Sequence, residues 1–120
     1  MNIFREIEVS QEWLDLGVVD PDKLYEIELE WNSSEDKNTE HYRWRAFFDF
    51  MQSQVFLDPI IAKRLYDLGA SDPDFEMGGS MMAHVLGRKD CPVDLLRLAA
   101  ESERKFLRKI AAEKLADASS

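Results

Sequence analysis

Cysteine and histidine are scarce in this chain, which contains one cysteine and two histidines among 120 residues. Because Cys91 has no second cysteine to pair with, an internal disulfide is excluded, and this fits a reducing compartment. A structural zinc site built from Cys and His is excluded for the same reason. Glu40-His41 and His84 match neither a zinc-protease helix nor a calcium loop. We therefore expect no metal site and no cofactor.

Long apolar runs are also missing, since no stretch approaches the roughly 18 residues of a membrane span. The N-terminus, MNIFREIEVSQEW, lacks the continuous apolar centre of a signal peptide. A cytoplasmic protein without membrane association is the expectation. The hydrophobic fraction of 45% and the charged fraction of 32% are ordinary for a globular protein, and the length suits a single domain, 1–120.

Positive charge is scarce in the first half of the chain. Residues 1–60 contain 14 Asp and Glu against 5 Lys and Arg, whereas residues 61–120 contain 10 of each. The net charge of −9 therefore belongs to the first half. This charge would repel a phosphate backbone, so we expect no direct nucleic-acid binding and a basic protein partner instead. A face that only aids solubility is the alternative.

Six acidic residues are the candidates for binding that partner. The first three recur four residues apart and would share one face of a helix, whereas the others lie in or just after the next loop. The set is Asp22, Glu26, Glu30, Glu35, Asp36 and Glu40.

The region 23–48 allows two interpretations. Apolar residues alternate with glutamates over 23–31, as in a strand, and a β-hairpin across 23–48 would make the protein α+β. The pattern of Trp44, Phe47, Phe48 and Met51 instead follows a helix. The Asp20-Pro21 start favours a helix for the first segment too, because Asp caps helices and Pro suits the first helical position.

Prolines and glycines punctuate the rest of the chain. Asp58-Pro59, Asp72-Pro73 and Cys91-Pro92 each precede an apolar pattern of helical period, and Gly69 and Gly87 are expected to end helices. The pattern predicts an N-terminal cap, 1–19, followed by helix pairs over 20–52, 58–87 and 91–117. Short connections favour antiparallel neighbours.

The second half also matches itself after a shift of 30 residues. Apolar positions coincide, as when one helix pair packs on the next. The matching pairs include Leu65/Leu95, Leu68/Leu98, Met77/Leu107, Met81/Ala111 and Val85/Leu115.

Residues 69–115 resemble HEAT-like repeats, particularly the bacterial leucine-rich repeat variant. The similarity lies in an Asp-Pro-Asp turn, a Cys-Pro opening of a leucine-rich helix, and a second helix containing Leu107-Arg108 and Ala111-Ala112. Gly78 departs from the family, which usually has Arg there. The resemblance implies an all-α, right-handed α-α superhelix of about three helix pairs that binds partners, and it implies no catalytic residue.

Two glycines inside a predicted helix need a reason, because each costs roughly 1 kcal/mol relative to alanine. Core packing against a neighbouring helix is one interpretation. The other is an apolar partner groove formed by Met77, Gly78, Gly79, Met81 and Met82.

The sequence as a whole predicts a non-catalytic protein–protein interaction module. One alternative is an inhibitor or immunity-type protein that masks the basic groove of a nucleic-acid-binding protein. A second alternative is a small enzyme that uses Cys91 or His84, because a helix start would favour a thiolate at Cys91.

Overall fold

The structure of the protein, a computed structural model, describes residues 3–35 and 37–119. The regular elements in these two stretches are all helical. A short 3-10 helix, Pro21–Lys23, precedes α3. The α-helices are α1 (Ile3–Glu6), α2 (Gln11–Asp15), α3 (Leu24–Ser33), α4 (Thr39–Ser53), α5 (Pro59–Ala70), α6 (Phe75–Leu86), α7 (Val93–Ala99) and α8 (Lys105–Ser119).

The all-α prediction is therefore confirmed. The alternative hairpin over 23–48 is not formed, because α3 and α4 occupy that range and its described residues contain no strand. The Asp20 carboxylate accepts a hydrogen bond of 2.9 Å from the backbone N–H of Asp22 and caps the start, as predicted. Ile27 and Trp31, four residues apart, are then buried on one side of α3.

Close packing divides the chain into two compact units, Met1–Ser53 and Gln54–Ser120, called here the N-terminal unit and the C-terminal unit. In the N-terminal unit, Trp13 of α2 meets Phe47 of α4 edge to face, with ring centroids 6.3 Å apart. Seven buried apolar residues precede residue 20, so the predicted N-terminal cap supplies much of this unit's core. They are Ile3, Ile7, Val9, Trp13, Leu16, Val18 and Val19.

Gly17 turns the chain out of α2. Its φ of 79° lies in the left-handed region, which glycine enters without steric cost. The next N–H, from Val18, then donates back to the carbonyl of Trp13 at 3.0 Å. The turn closes the end of α2 and directs Val18 and Val19 into the interior.

The C-terminal unit contains two successive helix pairs, in which α5 packs on α6, α7 packs on α8, and α6 packs on α8. The starts of α6 and α8, Phe75 and Lys105, are 30 residues apart. The turns before them also correspond. The N–H of Asp74 donates to the Asp72 carboxylate at 2.9 Å, and that of Arg104 donates to the Ser102 hydroxyl at 3.1 Å. The 30-residue shift is therefore present in local structure as well as in sequence.

The predicted helix boundaries are partly corrected. Asp58 caps α5, with its carboxylate 2.8 Å from the N–H of Ile60, as expected. Proline does not open α6, because Pro73 lies in the turn closed by Asp72 and the helix begins two residues later, capped by Asp74. In the same way Pro92 precedes α7 and does not begin it.

Gly69 does not end α5 as predicted, because the helix continues to Ala70 and Gly69 is buried in its last turn. A Cβ atom placed on Gly78 of α6 would lie 2.3 Å from the backbone oxygen of Gly69. A Cβ on Gly69 would lie 2.9 Å from the oxygen of Gly78. The two glycines therefore let the backbones of α5 and α6 touch.

Asp90 joins three segments of the C-terminal unit. Its carboxylate accepts two hydrogen bonds from the Arg88 guanidinium, at 2.8 and 3.0 Å, and one from the N–H of Leu57 at 2.8 Å. Arg88 also donates to the carbonyl of Gln54 at 3.0 Å, and its own carbonyl accepts from Lys114 at 2.6 Å. The guanidinium beside it lowers the pKa of Asp90 to about 2, from an ordinary 3.8.

Replacing Asp90 with asparagine should lower the free energy of unfolding by about 1–2 kcal/mol at neutral pH. A depressed folded pKa stabilises the native state above the unfolded pKa, and this contribution is lost as pH falls from about 4 to about 2. Urea unfolding of parent and variant at a series of pH values measures this. The two curves should differ at pH 7 and converge near pH 2.

The matched control is Asp94→Asn, which removes an exposed carboxylate 3.7 Å from Arg97 in the same unit. Exposed pairs contribute little, so this variant should differ from the parent by less than about 0.5 kcal/mol at every pH. If the free energies of unfolding of the parent and Asp90→Asn differ by the same amount at every pH, the charge of Asp90 does not have the role proposed for it.

Candidate functional site

The structure describes five of the six predicted acidic residues, whereas Asp36 lies outside the described residues. Four of them are exposed and Glu40, in the first turn of α4, is half-buried. Asp22 belongs to the 3-10 helix, Glu26 and Glu30 belong to α3, and Glu35 follows that helix. The predicted spacing on one helix thus holds for Glu26 and Glu30, and the acidic residues cluster along the 3-10 helix, α3 and the loop after it.

Helix α3 is anchored on one side by Trp31. Its indole N–H donates to a Glu6 carboxylate oxygen at 2.8 Å, and its ring meets Tyr42 of α4 edge to face at 6.1 Å. Ile27, one turn earlier, is also buried. With Ile27 and Trp31 directed inward, the helical period places the opposite side of α3 in solvent.

That outer side carries two parallel rows. One row is Tyr25 and Leu29, whose side chains are 76% and 60% exposed. The other is Glu26 and Glu30, each one position further along the helix, and both are exposed. We call these four residues the α3 face. The strand interpretation of 23–31 groups Tyr25 and Leu29 with the buried Ile27 and Trp31, whereas the helical interpretation places them off that stripe, as the structure shows.

One cation that reasoning from the sequence missed contacts this face. Arg45 of α4 forms an ion pair with Glu30, and its guanidinium also lies over the Tyr42 ring, 5.9 Å from the centroid. Both charged side chains are about half exposed, so the pair contributes little to stability. Glu26 lies in the neighbouring turn and takes no part in this ion pair. The α3 face therefore keeps a net negative charge.

Another cation is removed from the surface altogether. Arg43 is 1% exposed and donates to the carbonyl of Ile7 at 3.2 Å and to the Glu8 carboxylate at 3.1 Å. The N-terminal unit contains 13 Asp and Glu against 5 Lys and Arg, and one of those five is this buried arginine. Because Arg43 neutralises Glu8, the rest of the unit keeps the acidic excess of its composition.

A small pocket of about 60 Å³ lies beside the α3 face, between the end of α3 and the first turns of α4. Its volume suits one or two water molecules and not an organic ligand. Burial raises the pKa of the Tyr42 hydroxyl, so this lining side chain is neutral at physiological pH. The lining residues are Glu30, Trp31, Ser34, Asn38, His41, Tyr42 and Arg45.

The five residues considered as an apolar groove lie inside the C-terminal unit. All are buried: Met77, Gly78, Gly79, Met81 and Met82. A Cβ on Gly79 would lie 2.8 Å from the ring of Phe106 and 2.9 Å from the guanidinium of Arg104, so α8 covers this side of α6. Gly78 and Gly79 therefore lie in packed contacts with neighbouring helices, as the core-packing interpretation expected.

Cys91 lies just before α7, and His84 lies in the last turn of α6. Burial raises the pKa of the Cys91 thiol, which opposes the thiolate that a helix start was expected to favour. Its sulfur contacts the carbonyl of Pro92 at 3.8 Å. Among the described residues, no group of three or more His, Cys, Asp and Glu side chains is arranged to hold a metal ion.

The C-terminal unit has an apolar groove of about 400 Å³ between α5 and α7. Its charged lining residues are Lys63, Arg64 and Asp94, and Lys63 pairs with Asp67 at 2.6 Å. The groove lining therefore contains charges of both signs, whereas the two charged residues of the α3 face, Glu26 and Glu30, are both acidic. It is lined by Pro59, Ile60, Lys63, Arg64, Pro92, Asp94, Leu95 and Leu98.

Comparison with protein-family models, with curated proteins and with solved structures finds no match for this chain. Within residues 3–35 and 37–119, no helix combines the length and the apolar character that crossing a bilayer requires. Support for a function must therefore come from the surface chemistry of the two units.

Proposed function

We propose that this protein is a non-catalytic interaction module of helical repeats whose acidic N-terminal unit binds a basic protein partner. The observation that carries the proposal is the charge of that unit, 13 acidic against 5 basic residues, an excess that remains after Arg43 and Arg45 pair with Glu8 and Glu30. An excess of one sign steers a partner of the other sign and speeds association at low salt. The same charge disfavours direct contact with nucleic acid.

The helical-repeat part of the proposal rests on the C-terminal unit. Helices α6 and α8 begin 30 residues apart after equivalent turns, and α6 packs on both α5 and α8. Stacked helix pairs of this kind support a resemblance to HEAT-like repeats, which commonly serve as binding scaffolds. Burial raises the pKa of the Cys91 thiol, which disfavours the thiolate that the alternative enzyme would use.

Charge reversal on α3 tests the proposal. The variant Glu26→Lys/Glu30→Lys should lose partner binding by tenfold or more, about 1.4 kcal/mol, because it replaces two attractive contacts with repulsive ones. Immobilised parent and variant are exposed to the same native lysate, and bound proteins are compared by quantitative mass spectrometry. The basic proteins retained by the parent at low salt should be depleted on the variant, and raising salt should elute them.

The matched control is Glu101→Lys/Glu103→Lys, which changes the net charge by the same amount at two exposed positions of the C-terminal unit. It should retain the partner. Equal retention on all three proteins would contradict a role for the acidic face and leave it as a solubility feature. A nucleic-acid-binding enzyme among the depleted proteins would assign the chain to the inhibitor class.

A further inference from the structure

The α3 face carries exposed apolar side chains as well as charge. Attraction between charges gives no reason for these apolar side chains to be exposed. Tyr25 and Leu29 project into solvent one helical turn apart, so their side chains are neighbours on the helix. Isolated exposed apolar residues are common on protein surfaces. Here the two apolar side chains are adjacent to each other and run beside a second row, Glu26 and Glu30, with the same spacing.

We infer that the α3 face docks a basic amphipathic helix of the partner, with Tyr25 and Leu29 in its apolar stripe and Glu26 and Glu30 against its lysines or arginines. This inference rests on the proposed function and names the chemistry of the partner. The matching segment has apolar residues four apart, and basic residues four apart beside them.

The geometry favours a helix over an extended peptide. Rows of side chains four residues apart form the ridges that pack into the grooves of a second helix, the commonest helix–helix contact in globular proteins. An extended peptide binds chiefly by adding a strand to an exposed sheet edge, and the described residues contain no strand. Tyrosine is also enriched among the residues that dominate interface energetics.

The charges select a basic partner over the other occupants of an apolar face. A second copy of this chain would bring Glu26 and Glu30 against the same residues, and like charges across an interface are unfavourable. An anionic lipid surface is repelled for the same reason. The groove between α5 and α7 has Lys63 and Arg64 beside Asp94 in its lining, so it does not select a basic partner.

Synthetic peptides separate the two rows. The probes are a leucine–lysine peptide of about 18 residues, or five helical turns, whose leucines form one stripe; a scrambled peptide of the same composition; and oligolysine of the same charge. Binding is measured by fluorescence anisotropy at low salt. The parent should bind the amphipathic peptide at least tenfold tighter than the scrambled one.

Variants assign that difference to named residues. Tyr25→Ser/Leu29→Ser should abolish the preference for the amphipathic peptide and leave oligolysine binding unchanged, whereas Glu26→Lys/Glu30→Lys should weaken binding of every probe. Val55 and Phe56 of the C-terminal unit are 101% and 68% exposed, so Val55→Ser/Phe56→Ser removes comparable apolar surface elsewhere and should behave as the parent.

The inference and the proposed function fail in different ways. Equal affinity of the parent for the amphipathic and scrambled peptides, or an unchanged preference in Tyr25→Ser/Leu29→Ser, overturns the inference, while salt-sensitive oligolysine binding would still support a basic partner. A self-association by sedimentation that this variant abolishes would assign the face to a second copy, and that also overturns it. If the parent does not bind oligolysine at low salt, the proposed function itself is contradicted.

Discussion

Replacing Gly78 with alanine should destabilise the C-terminal unit by about 3 kcal/mol, even though alanine is the better helix former by roughly 1 kcal/mol. The new Cβ would lie 2.3 Å from the backbone oxygen of Gly69, and ordinary contact begins at 3.4 Å. Since both sides of this contact are helical backbone, no side-chain rotation relieves it, and α5 and α6 must separate. Circular dichroism during urea and thermal unfolding measures the loss.

Gly87→Ala is the matched control, because Gly87 caps the C-terminal end of the same helix. Its φ of −74° is open to alanine, and the atom nearest to an added Cβ, the oxygen of Ala83 at 3.3 Å, belongs to the preceding turn of the same helix. That variant should be within about 0.5 kcal/mol of the parent, or slightly more stable. An equally small effect for Gly78→Ala would mean that α5 and α6 do not approach as closely as the structure shows.

Gly79→Ala provides a graded comparison. Its Cβ would meet the ends of the Phe106 and Arg104 side chains, at 2.8 and 2.9 Å, and these can move. Its cost should therefore fall well below that of Gly78→Ala. The order of the two variants tests whether backbone or side chain limits the packing of α6.

The glycines also show where prediction from the sequence stops. Two glycines inside a helix indicate a close contact, yet the sequence does not name the contacting element, because contacts across helix pairs depend on how they cross. The partner, Gly69, was interpreted as a helix terminator, which is the usual role of a glycine at the end of an apolar stripe. Local signals cannot separate a glycine after a helix from one in its last buried turn.

Predictions from local chemistry succeeded more often. Asp20 and Asp58 cap the elements they were expected to cap, and the apolar pattern of α4 identified its helix against the competing hairpin. The boundaries of α6 and α7 moved, since Pro73 and Pro92 lie before the helices. A helix cap depends on a few residues that are neighbours in sequence, so it can be predicted from the sequence alone.

The candidate site was only half predictable. The acidic row was predicted from its spacing. Its apolar companion was not, because the region 23–31 allowed two interpretations and only the helical one separates Tyr25 and Leu29 from the buried residues. The sequence also did not predict which arginine of α4 is buried and which is exposed. Arg43 and Arg45, two residues apart, look equivalent, yet one is buried and the other is half exposed beside Glu30.

Arg43→Ala should therefore destabilise the N-terminal unit by about 3 kcal/mol. The side chain is 1% exposed, and its guanidinium donates to the carbonyl of Ile7 and to Glu8. Glu8 has a φ of 59°, uncommon for a residue with a side chain, and its carboxylate also accepts from Thr39 at 2.9 Å. Removing Arg43 leaves a cavity, a buried carbonyl with one donor fewer, and a strained turn with less support.

Arg43→Met and Arg45→Ala divide that loss into its causes. Methionine refills most of the apolar volume and lacks the donors, so Arg43→Met should cost about 1–2 kcal/mol, the part due to hydrogen bonding. Arg45→Ala removes an exposed arginine from the same helix and should cost less than about 1 kcal/mol. Urea unfolding, followed by the fluorescence of the buried Trp13 and Trp31, ranks the three variants. Equal and small losses for Arg43→Ala and Arg45→Ala would show that the guanidinium of Arg43 does not hold the turn after α1 against α4.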